Sequence, residues 1–142
     1  MTNDERWQYL VALDEEVLKG GVILSEWCCF IVRETDVACA SGANLASILP
    51  VVSGIETYLK SEYSVTGKER LIDLINLASI DDGLKDDLHT LRKYRNKWVH
   101  IYEPLDDEKL LLRSDDSEFE LLQMAFLAAR TLRRTTYESQ WV

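Results

Sequence analysis

Residues 45–63 read LASILPVVSGIETYLKSEY, and the spacing within this stretch decides the fold class. Leu45, Leu49, Val52, Glu56, Leu59 and Tyr63 recur at alternating steps of four and three, with Ile48 and Ile55 alongside. That period belongs to an α-helix with one face turned inward. It predicts a helix from about Ala43 to Tyr63, which Pro50 either kinks or opens with an early turn. All but one of the stripe residues are apolar or aromatic, and the exception is Glu56.

The same period continues on either side. A first helix is expected from Thr2 or Asn3 to the Gly20-Gly21 stop, with Trp7, Leu10, Val11, Val17 and Leu18 inward. A second is expected from about Val22 to Ala40, facing the core with Trp27, Phe30, Ile31 and Val37. After the Val65-Thr66-Gly67 connection come a short helix over about Glu69 to Ala78 and a longer one from about Gly83 to His100. Pro104 stops further helix, and Leu105 to Ser114 reads as an acidic loop. A last helix, from about Asp116 to Glu138, is expected to turn Phe119, Leu122, Phe126, Ala129 and Leu132 inward. No internal repeat or second domain is visible, so residues 1–142 read as one all-α domain.

Composition agrees with that reading. Hydrophobic residues make up 46% and charged residues 29%, the balance of a globular chain. Only 6 Gly and 2 Pro are present, too few for the frequent turns of a sheet protein. The acidic N-terminus does not resemble a signal peptide, and stretches such as Leu45 to Ile55 are too short to span a bilayer. Cys28, Cys29 and Cys39 have neither metal-ligand spacing nor a sensible disulfide pairing, so they read as small core residues in a reducing cytoplasm. The net charge of −9 argues against general nucleic-acid binding, yet, besides a cluster at Arg130, Arg133 and Arg134, the bases Arg92, Lys93, Arg95 and Lys97 gather on the acidic chain.

Those bases lie in the segment that carries the chemistry, Arg92 to Tyr102. On a helical wheel Leu84, Leu88, Leu91, Trp98 and Val99 share one arc, with Arg95 near its middle and Arg92, Asn96 and His100 in an adjacent strip. A cation inside an apolar stripe needs a partner or a polar cleft, because a stranded charge is costly. Glu56 is the opposite anomaly, and the simplest expectation pairs it with Arg95 across the bundle. A structural ion pair without chemistry satisfies the same pattern. His100 adds what such a pair lacks, since imidazole is the side chain suited to proton transfer near neutral pH. RNA cleavage by the neighbouring 2′-hydroxyl needs a proton shuttle and a cation on the phosphorane, and His with Arg supplies both without a metal. Asn96, one turn before His100, could orient the imidazole or the phosphate. His89 has no comparable company and reads as structural. Tyr94 and Trp98 could stack on bases, although packing is the commoner use of such residues.

Arg95-Asn96-Lys97-Trp98-Val99-His100 resembles the signature of HEPN domains, in which Arg, often followed by a polar residue, precedes His by four to six positions. The stretch Ile55-Glu56-Thr57-Tyr58-Leu59 also looks like the helix that packs against the motif in those proteins. The resemblance has its core at residues 43–134, with residues 1–20 as an N-terminal helical extension. It implies an up-and-down helical bundle that pairs face to face and joins two motifs in one cleft. Catalytic members are metal-independent ribonucleases of defence, toxin–antitoxin and RNA-processing systems. By motif position Arg95 and His100 are the implied catalytic pair, Asn96 the supporting polar residue and Glu56 an accessory acid. Arg92, Lys93 and Lys97 are candidates for RNA binding. Tyr102, two residues after the histidine, matches a tyrosine that partner nucleotidyltransferases adenylylate in some HEPN toxins, but a packing role is the competing reading. The implied partners are a second copy, RNA, and an antitoxin or nucleotidyltransferase, with no cofactor, metal or membrane. The alternative function is a non-catalytic HEPN module that dimerises and binds a nucleotide, RNA or protein.

Overall fold

Ser25 and Thr2 show how this chain begins its helices. Each hydroxyl accepts a backbone N–H three residues on, Cys28 at 3.1 Å and Glu5 at 3.1 Å, and so satisfies a donor that the helix itself leaves open. In the computed structural model, which describes residues 1–99 and 114–141, six helices follow one another. They are α1 (Asn3–Val17), α2 (Glu26–Ala40), α3 (Asn44–Tyr63), α4 (Leu71–Leu77), α5 (Asp82–Val99) and α6 (Ser114–Thr136). Among the described residues there is no β-strand, so the all-α class holds. No helix there is long and apolar enough to cross a membrane.

The helix at 44–63 is the hub. α3 packs on α2 and α6 along most of its length and also touches α4 and α5. Ile48, Val51, Val52, Ile55 and Leu59 are at most 2% exposed, each such burial contributing roughly 1.5–3 kcal/mol. The inward arc is therefore centred on Ile48 and Ile55, and the expected stripe is rotated off it. Leu45, Leu49, Glu56 and Tyr63 fall at its margin, half-buried. Pro50 does not end the helix. Gly54 lets α2 come close, since a Cβ there would stand 3.0 Å from the Ile31 side chain.

Two other helices face the core differently from expectation. In α1 the buried residues are Leu10 and Leu13, whereas Trp7 and Val11 are exposed. In α2 the inner face is Cys28, Thr35, Cys39 and Ala40, whereas Trp27, Phe30 and Val37 point outward. In α2 small residues take the inward positions, and α6 likewise seats Ala125, Ala128 and Ala129 in the core while Phe119 is exposed. Cys29 is exposed, so only two of the three thiols serve as core residues.

The helix expected as an N-terminal extension shares this core. Tyr9 stacks on Phe126 with ring centroids 4.0 Å apart, and Arg6 donates to the Cys39 carbonyl and the Asn44 side chain. The chain end closes over the connection between α1 and α2. Gly21 and Trp141 exchange both backbone hydrogen bonds, and the Gln140 side chain bonds Lys19, Gly20 and Val17. A Cβ at Gly21 would lie 2.7 Å from the Trp141 ring, so any larger residue there would have to displace that ring.

Candidate functional site

The candidate site occupies the C-terminal two turns of α5. That helix starts on Asp81, whose carboxylate accepts from the Leu84 N–H at 2.9 Å, and buries Leu84, Leu88 and Leu91. After Leu91 no residue of the helix is fully buried. Tyr94 and Trp98 continue the inner face only half-buried, in an edge-to-face contact of 6.4 Å between ring centroids. Arg95, centred on the apolar arc by its spacing, thus lies where the cover from neighbouring helices thins, and it is half-buried rather than enclosed.

Its guanidinium is held locally. Arg95 Nε donates to Asn96 Oδ1 at 2.9 Å, which fixes the two motif residues against each other. No ion pair joins Arg95 to Glu56, and neither residue pairs with any other described side chain. The expected pairing across the bundle is therefore not made, because Glu56 sits at the margin of the α3 arc and can meet water. His100 and Tyr102 lie outside the described residues, and so does the expected contact between Asn96 and His100.

The surrounding bases are unlike one another. Lys93 is exposed. Lys97 is engaged, 3.6 Å from a Glu120 carboxylate oxygen and 5.7 Å from the centroid of the Tyr94 ring. Arg92 is half-buried, and its Nε makes no hydrogen bond among the described residues. The Tyr94 hydroxyl and the Trp98 indole N–H are also buried without a well-formed bond there. Burial, with Glu120 nearby, pushes the Tyr94 phenol up to about 12. Beside Trp98 opens a groove of about 490 Å³, lined also by Asn44, Leu45, Ser117, Glu118 and Leu121. It brings Trp98 of α5 to the first turns of α3 and α6, the latter carrying the acids Asp115, Asp116 and Glu118.

His89 stands apart from this constellation. Its Nε2 lies 3.0 Å from the Asn76 side-chain oxygen, and burial together with Arg92 and Lys93 lowers its proton affinity. Through that contact the ring ties α5 to α4. Among the described residues no three His, Cys, Asp or Glu side chains are grouped to hold a metal ion.

The strongest electrostatic feature is elsewhere, and the sequence marks its arginine only as one of three clustered bases. Arg133 of α6 is fully buried, with Nε 2.9 Å from Asp14 of α1 and Nη2 2.7 Å from Asp36 of α2. The Tyr137 hydroxyl donates to the same Asp14 oxygen at 3.0 Å. Burial raises the Asp36 carboxyl and the guanidinium only partly offsets it. Burial also works against the Arg133 charge, but the two carboxylates outweigh it and hold the cation protonated. One signal was available: Arg133 follows Ala129 by four residues and Leu132 by one, which puts it on the inner face of α6. This network joins three helices. Comparison with protein-family models, curated proteins and solved structures finds no match to the chain.

Proposed function

We propose that the chain is a metal-independent endoribonuclease of the HEPN type, with Arg95 and His100 as its catalytic pair and a second copy completing the cleft. The observation that carries the reading is the Arg95 guanidinium. It is clamped by Asn96, has no described carboxylate to neutralise it, and stands three residues before Trp98, which lines an open groove. A charge kept there is available to a phosphate, because its hydrogen-bond fork matches two phosphoryl oxygens.

The chemistry follows from those groups. The imidazole of His100 takes the proton of a ribose 2′-hydroxyl, whose oxygen attacks the adjacent phosphorus. Arg95 stabilises the negative charge that builds on the phosphorane oxygens. The bond to the 5′-oxygen then breaks, and a second imidazole, brought by the other copy, protonates the leaving oxygen. The products are a 2′,3′-cyclic phosphate and a 5′-hydroxyl. Trp98 in the groove wall offers an aromatic surface for a base.

A second reading is a HEPN-type module that binds without cutting. The neutralisation of Lys97 by Glu120 and the net charge of −9 favour it, since both weaken the hold on a phosphate backbone. Incubation with a single-stranded RNA oligonucleotide in excess EDTA separates the two. The ribonuclease yields fragments ending in 2′,3′-cyclic phosphate. Intact RNA, bound or unbound, would leave the binding module as the better account.

A further inference from the structure

The outer face of α2 carries apolar residues that nothing in the fold uses. Trp27 is 46% exposed, Phe30 58% and Val37 46%, and Ile23, just before the helix, is 85% exposed. Trp27, Phe30 and Val37 recur at steps of three and seven, so they line one stripe. The flanks are charged. Glu26 and Arg33, seven residues apart, lie on one side of the stripe, and Glu34 lies on the other. All three are exposed, and none makes an ion pair with another described residue.

We infer that this stripe is a docking surface for a second copy of the chain, with the two α2 helices antiparallel across a two-fold axis near Phe30. The argument is self-complementarity. A two-fold axis crossing a helix at right angles brings each position opposite a position equally far beyond the axis, on the same flank of the partner helix. With the axis at Phe30, that ring meets its own copy. Glu26 then meets the second copy's Arg33, with the contact repeated in the opposite sense. The charged pair is displaced from ideal register by one residue, about 1.5 Å along the axis, which an arginine side chain easily spans. One register therefore closes the aromatic and ionic contacts together, and Val37 and Ile23 add apolar surface at the ends of the stripe. Glu34 lies beside the second copy's Trp27 and meets no like charge. The apolar atoms available are on the order of 400 Å² per copy. With the charged rim they reach the low end of what specific pairs bury, roughly 600 Å² per partner.

This interface is independent of the ribonuclease reading. α2 and α5 each pack on α3 and α6 and make no contact with one another, so a pair formed through α2 leaves the α5 motif open. The test is sedentation-type sizing of the whole chain, by light scattering or ultracentrifugation over 1–100 micromolar as an order-of-magnitude range suited to weak pairs. Phe30→Asp should raise the dissociation constant about 100-fold, as removal of a central aromatic does. Glu26→Arg and Arg33→Glu should each raise it about 10-fold, and the double variant should return it to within about 3-fold of wild type. Circular dichroism should show every variant folded, because these side chains are outside the core. A monomeric wild type, or single reversals that the double variant does not rescue, overturns the proposal. So does a pair that survives Phe30→Asp and is lost in Val99→Asp on the α5 side. That last result would leave the motif-face dimer standing while removing the α2 interface.

Discussion

Arg133 loses all contact with solvent and keeps its charge because Asp14 and Asp36 reach it from two other helices. Deleting it leaves two carboxylates without a counter-charge and a void between helices. Arg133→Ala should therefore cost about 3–5 kcal/mol in a urea melt. Glu56 is the contrasting case. It is half-buried at the edge of α3 and has no described ion-pair partner, so Glu56→Ala should fall within about 0.5 kcal/mol of wild type. If the two variants melted alike, the assignment of the buried charge to Arg133 would fail. The sequence made Glu56 and Arg95 conspicuous because each interrupts an apolar stripe. Arg133 was harder to see, since its neighbours on the inner face of α6 are alanines and threonines. A charge among small residues breaks no visible hydrophobic run.

At the scale of the element, the helices were legible and their faces were less so. Period, caps and glycine stops located every described helix, with errors of one to four residues at the ends. α2 begins at Glu26 because the Ser25 side chain caps it, which leaves residues 22–24 outside the helix. The faces of α1 and α2 differ from expectation because large apolar residues stay outside: Trp7 and Val11 are exposed while Leu10 and Leu13 turn inward, and Trp27, Phe30 and Val37 are exposed while Cys28, Thr35, Cys39 and Ala40 turn inward. The turn between α3 and α4 shows a local device of another kind. The Glu69 carboxylate accepts the Val65 and Thr66 N–H groups at 2.8 and 2.7 Å and the Ser64 hydroxyl at 2.6 Å. Those bonds, the Ser64 hydroxyl first, hold its carboxyl well below the usual carboxylate range. A depressed folded value means stabilisation that is present above the unfolded pKa, about 4.3, and lost as pH falls toward the folded one. Wild type should thus lose more melting temperature between pH 7 and pH 3 than Glu69→Gln does. An equal loss in both proteins would show that the cap does not contribute.

The whole molecule is a bundle assembled around α3, with α4 and α5 on one flank and α1 and α2 on the other, closed by α6. Its two unusual surfaces lie on different flanks. The C-terminal turns of α5 carry a clamped cation and, at Trp98, one wall of a groove, and the outer face of α2 offers an unused apolar stripe. Arg95 and Asn96 stand out in the sequence through the Arg-Asn-x-x-x-His spacing together with its place on a helix of an all-α chain. The α2 stripe does not, because a sequence does not say which of two apolar faces turns inward. The ribonuclease account stands on Arg95 and His100 acting together. Its most direct test is the single-turnover rate of RNA cleavage, measured in EDTA, by wild type and by His100→Ala with matching thermal melts. The account predicts a loss of at least ~100-fold, the scale of a deleted acid–base group. Equal rates from the two proteins would contradict it.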